Sequence, residues 1–264
     1  MNEPWKIVLA HGGAGSRAEY RDGAETACRV GFENLQSGAL NAACTAVAAL
    51  ENDGRFNAGV GSRRRSDGSV QADAACMDSG RRFGAVAAVT GFRHPVKIAQ
   101  ALTACPQHLL AGPGAAAFAH HRGMEVWTPE PEDQNRGRVA GCDTVGCVTF
   151  DGDRFAAALS TGGKGGSLPG RVGDVPLLGC GLYTGQYGAV VATGLGEVIV
   201  LNMTAFRAYQ MLEEGMGPRF VLDEALGWFE EDEDIGLLLV SRKGYAGGSN
   251  RSMAWAALET GERE

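Results

Sequence analysis

The amino-acid sequence predicts an α+β protein in which sheets and helices lie in separate layers. Segments with strand patterns come in neighbouring pairs, of which residues 144–150 (TVGCVTF) and 154–160 (RFAAALS), joined by a DGD turn, predict a hairpin. Segments with a helical spacing of apolar residues also come in pairs, near 24–35 and 40–50. This grouping differs from the strand–helix alternation of βαβ units and favours a layered sandwich.

Length, charge and cysteine content limit the function classes. The 264 residues can bury a substantial core, and the net charge of -7 argues against nucleic-acid or anionic-membrane partners. The apolar run in MNEPWKIVLAHGG is too short for a signal peptide, and no stretch reaches transmembrane length. Seven scattered cysteines without a CxxC pair indicate neither a disulfide framework nor a zinc site. We therefore expect a cytoplasmic protein.

The first half of the chain is predicted to begin with a strand at 6–10 (KIVLA), followed by a glycine turn at 11–15 (HGGAG). Two helices should follow, because apolar residues recur at helical spacing. These residues are Ala24, Cys28, Phe32 and Leu35 in the first helix and Leu40, Cys44, Val47 and Leu50 in the second. Pro95 suits a first helical turn and predicts a helix over 95–105. The other predicted elements are a loop at 51–61, strands near 70–75, 84–90 and 108–111, and a helix at 114–122.

In the second half, the hairpin of 144–160 is followed by a glycine-rich stretch that extends to residue 181. Amphipathic spacing then predicts one long helix near 197–214 and another at 220–230. Strands are predicted at 187–193, 237–241 (LLLVS) and 252–258 (SMAWAAL), and the sequence contains no internal repeat.

A predicted linker lies directly before one threonine. Residues 128–142 (TPEPEDQNRGRVAGC) contain two prolines, several charges and little apolar material, and they stop before Asp143 and Thr144. A threonine that opens a strand is usually there because β-branched side chains fit a pleated surface. Thr144 alone therefore does not indicate catalysis.

Several polar, glycine-rich motifs beyond Thr144 favour a functional interpretation. They fall at the ends of predicted strands, where glycine exposes backbone N–H groups and allows a substrate to approach closely. The motifs are STGG (160–163), GRVGD (170–174), GCG (179–181) and TGLGE (193–197).

Together with HGGAG (11–15), FNAG (56–59) and DTVG (143–146), these motifs resemble those of threonine-dependent N-terminal nucleophile (Ntn) hydrolases. The specific resemblance is to the isoaspartyl peptidase/L-asparaginase family, which is related to glycosylasparaginase. It covers the chain from about residue 6 to residue 200, and the rest matches less distinctly. The resemblance implies a single domain over 1–264 with a four-layer αββα sandwich. It also implies an amidohydrolase that acts on the side-chain amide of L-asparagine or on isoaspartyl peptide bonds.

The resemblance further implies self-cleavage between Asp143 and Thr144, which would give an α chain of residues 1–143 and a β chain of residues 144–264. A threonine hydroxyl is a poor nucleophile without a base, and a peptide nitrogen inside a chain is not basic. A free α-amino group has a pKa of roughly 7.7–8.0, which suits a general base near neutral pH. Cleavage would therefore create nucleophile and base in the same residue.

The resemblance assigns roles to individual residues. Thr144 matches the nucleophile, Thr161 a threonine that bonds beside it, and Thr193 with Gly194 the oxyanion hole. Arg171 and Asp174 match the residues that hold the substrate α-carboxylate and α-ammonium group; without the resemblance they would be interpreted as a salt bridge. Asn57 matches an asparagine in the neighbourhood of the nucleophile, and Gly163 matches a backbone contact there. Gly163 and Gly194 are also expected to contact the substrate. Arg63, Arg64 and Arg65 are interpreted as a solvated basic face.

The family also implies a structural sodium ion and a homodimer of αβ units, and the chemistry requires no cofactor. The ion would be held by backbone carbonyls, which suit hard cations. The matching residues are Leu50, Glu51, Asp53, Phe56, Ala58 and Val60.

Two residues depart from the usual family pattern, and two alternative functions remain open. Asp143 stands where asparaginase-type relatives commonly have glycine, and Val175 stands where they have serine. The first alternative is glycosylasparagine hydrolysis with the same residues and a wider leaving-group side. The second is a binding protein of the same fold that never matures.

Overall fold

The structure, a computed structural model, describes residues 4–129 and 144–262. Asp143 and almost all of the predicted linker lie outside these residues. Within them, two sheets and seven α-helices are arranged in four layers.

Eleven strands form the two sheets in the described part of the chain. The first sheet has seven strands in the order β11-β1-β5-β6-β2-β3-β4, and the second has four in the order β10-β9-β8-β7. Among these described strands, every pairing is antiparallel except that of β3 with β4. The strands are β1 (Lys6–Ala14), β2 (Ala72–Asp78), β3 (Phe83–Val89), β4 (Leu109–Ala111), β5 (Val145–Phe150), β6 (Phe155–Thr161), β7 (Leu182–Gly185), β8 (Gly188–Gly194), β9 (Ile235–Ser241), β10 (Gly244–Ser249) and β11 (Met253–Thr260).

The helices cover the outer faces of the two sheets. Helices α1 to α4 lie against the seven-stranded sheet, and α6 and α7 lie against the four-stranded sheet. The helices are α1 (Arg21–Glu33), α2 (Ala39–Glu51), α3 (Pro95–Leu102), α4 (Gly112–His121), α5 (Gly196–Asn202), α6 (Thr204–Glu213) and α7 (Pro218–Leu226).

In the part of the chain that the structure describes, three hydrophobic cores separate the four layers. Because side chains alternate along a strand, Ile7 and Leu9 of β1 point between the sheets, whereas Val8 and Ala10 point toward α1 and α2. Strand β8 alternates in the same way between the inter-sheet core and the core beneath α6 and α7. The structure therefore has the predicted α+β, αββα architecture.

Several element boundaries differ from those predicted. Strand β1 continues through the predicted glycine turn to Ala14, with an irregularity between His11 and Ala14. The helix predicted near 197–214 is two helices, because Met203 between them has a left-handed backbone (φ 48°, ψ 46°). Strands β7 and β10 were not predicted, since their glycines weaken the strand signal.

No helix in residues 4–129 and 144–262 is long and apolar enough to cross a membrane. Six cysteines in the described residues carry free thiols, and four of them (Cys28, Cys44, Cys76 and Cys147) lie in the core between the helices and the large sheet.

Candidate active site

The structure places Thr144 at one end of the two sheets, beside a cleft of about 220 Å³. Val145 of β5 pairs with Ser160 of β6, so Thr144 and Thr161 lie next to each other one residue further along. Thr144 is buried, with 4% of its surface exposed, and it borders the cleft. The cleft is also lined by the predicted residues Thr161, Gly163, Arg171, Asp174 and Gly194.

Thr161 and Asn57 are joined through Gly163. The Gly163 N–H donates to Thr161 Oγ1 at 3.0 Å, and the Asn57 Nδ2 group donates to the Gly163 carbonyl at 2.8 Å. Gly163 has a φ of +71°, a conformation that favours glycine. Asn57 is buried, and its hydrogen bond to Gly163 fixes this loop. The sequence prediction that Asn57 lies near the nucleophile loop is therefore consistent with the geometry.

Thr193 and Gly194 end strand β8 on the other side of the cleft. The Ala14 N–H donates to Thr193 Oγ1 at 3.2 Å, which occupies one acceptor position and leaves the hydroxyl proton free for another partner. Gly194 has a φ of +142°, and a Cβ there would lie 1.9 Å from the Asp234 carbonyl oxygen. Only glycine fits at this position without movement of the backbone.

Arg171 and Asp174 lie on the same side of the cleft. Arg171 donates through Nε and Nη2 to the Glu197 carboxylate at 2.9 and 2.8 Å. A Cβ on Gly196 would lie 2.8 Å from Asp174 Oδ1 and 3.0 Å from Arg171 Nη2. The glycine therefore leaves open a space that both charged groups face.

The charges around Arg171 affect one another. Burial lowers the pKa of Arg171, but the Glu197 hydrogen bond and the charges of Glu197, Asp174 and Asp73 outweigh it and raise the pKa overall. The pKa of Glu197 is lowered, chiefly by its hydrogen bond from Arg171. Both groups are therefore held in their charged forms, with Arg171 positive at the cleft wall.

His11 supports the same region without carrying charge. Its Nδ1 accepts the Gly13 N–H at 3.0 Å, so the ring proton of the neutral form is on Nε2. Burial lowers the pKa of His11 to about 3. Gly146 faces the ring, and a Cβ there would lie 2.3 Å from His11 Nε2.

Sequence reasoning missed several residues of the site. Glu197 belongs to the TGLGE motif, and its place in that motif was the available signal. Asp73, Lys164, Asp232 and Asp234 carried no comparable signal. The additional cleft residues are Lys164, Gly173, Leu195, Gly196, Asp232 and Asp234. The prediction of a solvated face is wrong for Arg65, which is 3% exposed because it lies beneath the loop of Gly163.

The predicted sodium residues lie at the end of α2 and in the loop that follows. The Leu50, Asp53, Phe56 and Ala58 carbonyls each accept a backbone N–H within this segment. A Cβ on Gly59 would lie 2.4 Å from the Glu51 carbonyl oxygen, and one on Gly61 would lie 2.0 Å from that of Phe56. Among the described residues, no group of three or more His, Cys, Asp or Glu side chains could hold a metal ion.

Comparison with known proteins gives consistent similarities over nearly the whole chain. A family model described as asparaginase matches residues 5–139 and 126–264. A plant-type L-asparaginase of Thermococcus kodakarensis is 33% identical over an alignment of 300 residues including gaps, and the alignment covers 97% of each chain. An isoaspartyl peptidase/L-asparaginase of Danio rerio is 36% identical over 289 residues, covering 97% of this chain and 93% of the relative.

A plant-type L-asparaginase of Pyrobaculum calidifontis is 36% identical over 271 residues, covering 90% of this chain and 91% of the relative. The match of the family model to both halves, and the coverage of these relatives, agree with the four-layer architecture and with the motifs at the cleft. The chain belongs to the asparaginase family of Ntn hydrolases.

Proposed function

We propose that the protein hydrolyses the side-chain amide of L-asparagine or the β-aspartyl bond of isoaspartyl peptides, with Thr144 as the nucleophile. The observation that carries this proposal is the position of Thr144, which borders one cleft with Thr161, Gly194, Arg171 and Asp174. The names of the relatives, L-asparaginase and isoaspartyl peptidase, support the same substrate class.

The proposed nucleophile depends on a cut between Asp143 and Thr144. Hydrolysis of this bond frees the Thr144 α-amino group, which accepts the proton of the Thr144 hydroxyl as that oxygen attacks the substrate amide carbon. The hydroxyl of Thr161 lies beside Thr144, and its oxygen already accepts the Gly163 N–H. Its proton is therefore available to hydrogen-bond the nucleophilic oxygen.

Arg171 and Asp174 are proposed to recognise the two charges of the aspartyl part of the substrate. The Arg171 guanidinium would bind the α-carboxylate, and the Asp174 carboxylate would bind the α-ammonium group. The open space beside Gly196 supports this assignment, because both side chains face it. The remaining cleft would take the leaving group.

The Thr193 hydroxyl and the Gly194 N–H are proposed to stabilise the oxyanion that forms when Thr144 attacks. Collapse of this intermediate breaks the C–N bond, and the leaving amine takes the proton from the Thr144 ammonium group. The aspartyl group is then an ester on Thr144, and a water molecule hydrolyses it to aspartate and free threonine hydroxyl. The Ala14 N–H on Thr193 Oγ1 supports this role because it turns the hydroxyl proton toward another partner.

The decisive experiment compares the parent protein with Thr144→Ala. Intact-mass measurement should find two chains, residues 1–143 and 144–264, in the parent and one uncut chain in the variant. Ammonia release from L-asparagine and amino-acid release from β-aspartyl dipeptides should be absent in the variant. Turnover by uncut protein, or by the variant, would reject Thr144 as the nucleophile. A cut parent that hydrolyses only glycosylasparagine would move the substrate to that class.

A sodium ion, a dimer and a cytoplasmic location extend the proposal. The close approach of Gly59 and Gly61 to the carbonyls of Glu51 and Phe56 supports a compact loop that could form a sodium site with Leu50, Asp53, Ala58 and Val60. A higher unfolding temperature in sodium chloride than in choline chloride at equal ionic strength would support the sodium site.

Exposed apolar side chains at Leu178, Leu201 and Met203 support association into a dimer. Buried free cysteines support a reducing compartment.

A further inference from the structure

Arg65 is a buried arginine next to the candidate active site. Its Nη1 donates to Ser167 Oγ at 2.7 Å, and its Nη2 donates to the Gln71 carbonyl at 3.1 Å. Burial lowers the pKa of Arg65, and the charge of Asp73 opposes this effect. A buried guanidinium needs hydrogen bonds and a counter-charge, so these contacts give Arg65 a defined position.

The guanidinium of Arg65 lies directly beneath Gly163. A Cβ on Gly163 would be 2.4 Å from Arg65 Nη1, 2.5 Å from Nη2 and 2.7 Å from Cζ. The planar guanidinium therefore packs against the backbone of Gly163. Any side chain at residue 163 would displace it.

The same guanidinium holds the far end of the loop that follows β6. Ser167 Oγ accepts from Arg65 and donates to the Lys164 carbonyl at 2.7 Å. The Ser66 N–H donates to the Ser167 carbonyl at 2.9 Å. Arg65 thus fixes both Gly163 and Ser167, and Gly163 in turn donates its N–H to Thr161 Oγ1.

Asp73 supplies the counter-charge beneath this loop. It pairs with Thr161 across the ladder between β2 and β6, and its Oδ1 accepts the Ala88 N–H at 2.7 Å. Burial raises the pKa of Asp73 to about 6, while the Ala88 hydrogen bond and the charges of Arg65 and Arg171 oppose the increase. Asp73 therefore lies beside Thr161 in the sheet, and its negative charge acts on the buried guanidinium of Arg65.

We propose that Arg65 is a positioning residue for catalysis, which orients the Thr161 hydroxyl through the planar contact of its guanidinium with Gly163. This inference rests on the proposed function. The role requires the flat, forked shape of arginine and not only its charge. Arg171 and Asp174, the proposed substrate-binding residues, lie beyond Ser167 in the same connection between β6 and β7, whereas Thr161 is proposed to act on the nucleophile. An effect transmitted to the Thr161 hydroxyl should therefore fall on kcat and spare KM.

The test uses Arg65→Lys, with Arg64→Lys as the matched control. Lysine keeps the positive charge near Asp73 but cannot support Gly163 while also reaching Ser167 and Gln71. We expect kcat for L-asparagine or a β-aspartyl dipeptide, measured per cut chain, to fall about 10- to 100-fold with little change in KM. Arg64 Nη1 donates to the exposed Gly68 carbonyl at 2.8 Å, and the Arg64→Lys variant should keep the parent kcat.

A second variant, Ser167→Ala, makes the result independent of whether the lysine variant folds. It removes the Nη1 acceptor and should lower kcat by a smaller factor, again with KM preserved. If Arg65→Lys and Ser167→Ala both act through the loop of residues 162–167, the double variant should lower kcat by less than the product of the two single-variant factors. A parent-like kcat in either folded variant, or a loss confined to KM, would overturn the proposal. Absence of turnover in the parent would instead reject the proposed function.

Discussion

Gly194 is the residue of the cleft at which the backbone tolerates the least change. Its φ of +142° is unfavourable for other residues, and a Cβ there would overlap the Asp234 carbonyl oxygen. In Gly194→Ala the strand end must move, and the N–H leaves the position proposed for the oxyanion. We expect kcat to fall about 10²- to 10³-fold, as for loss of one oxyanion donor.

Steady-state kinetics of the cut enzyme would measure the effect of Gly194→Ala. Gly114→Ala is the matched control, because a Cβ at this helical position meets no atom within 4 Å. Equal kcat values for the two variants would contradict an oxyanion role for Gly194.

His11 should make stability depend on pH in a defined direction. Its pKa is about 3 in the folded protein against 6.5 for an ordinary histidine, so the unfolded chain binds more protons between these values. The stability that neutral His11 contributes is present above pH 6.5 and is lost as the pH falls toward 3. Asp73 acts in the opposite direction, because its raised pKa favours the folded state as the pH falls below about 6.

Comparison with His11→Asn isolates the histidine contribution. Urea unfolding at pH 7, 5.5 and 4 should show the parent losing up to about 3 kcal/mol relative to the variant between the first and last pH. Asparagine can still accept the Gly13 N–H but does not titrate. The exposed His121→Asn should follow the parent, and parallel curves for parent and His11→Asn would exclude this contribution.

The sequence identifies the residues of the cleft better than the residues that support them. Thr161, Arg171 and Asp174 fall in glycine-rich motifs with recognisable spacing, and all three line the cleft. Arg65 and Asp73 lie in no such motif, and their proximity to Thr161 depends on how β2 pairs with β6. Runs of arginine are usually solvated, so burial of only one member of 63–65 could not be predicted.

At the scale of elements, the side chain of Glu51 links helix α2 to helix α3. This last residue of α2 is fully buried, and its Oε1 accepts the N–H of Val96 in the first turn of α3 at 3.0 Å. Its Oε2 lies 3.1 Å from His94 Nδ1. Burial raises the pKa of Glu51, while hydrogen bonds from His94 and Val96 are among the contacts that oppose the increase.

Glu51→Ala should therefore destabilise the protein by about 2–4 kcal/mol, because it leaves a cavity and an unpaired buried N–H. Glu51→Gln keeps an acceptor for Val96 and should cost less than half as much. The change in the free energy of unfolding of each variant is measured by denaturant unfolding at pH 7, with the exposed Glu25→Ala as the control. Equal losses for alanine and glutamine would show that the acceptor is unimportant.

Element prediction succeeds where the apolar pattern is regular. Helices α1 and α2 and the β5–β6 hairpin follow from periodicity and turn residues alone. Strand β10 contains three glycines in six residues and gains its order from pairing with β9, which is a non-local effect. The break at Met203 is also hidden, because methionine is a good helix former. Directly after it, the Ala205 and Phe206 N–H groups donate to the Cys180 and Gly179 carbonyls, which are non-local partners.

At the scale of the whole molecule, the two proposed chains are interleaved. Strand β1 from the first half lies between β5 and β11 from the second half, and β6 from the second half pairs with β2 from the first. Separation of the halves would expose three hydrogen-bonded ladders and much of the core beneath them. We therefore expect the cut protein to unfold in one transition, and we expect the same of the uncut Thr144→Ala precursor.

Separate expression of residues 1–143 and 144–264 tests this expectation. Each fragment alone should give a circular dichroism spectrum of an unfolded chain, because each lacks neighbours for its edge strands. Denaturant unfolding of the cut parent should show a single transition, with the same midpoint whether it is followed by fluorescence or by circular dichroism. Two separate transitions, or a stably folded fragment, would contradict the expectation.

The position of β1 between β5 and β11 has a consequence for the lifetime of each molecule. Exchange of an α or β chain between two molecules would require global unfolding, which is slow for native domains. If isotopically heavy and light enzymes are mixed after maturation, native mass spectrometry should find no hybrid αβ units under native conditions. Each αβ unit would keep the same two polypeptides from maturation until degradation.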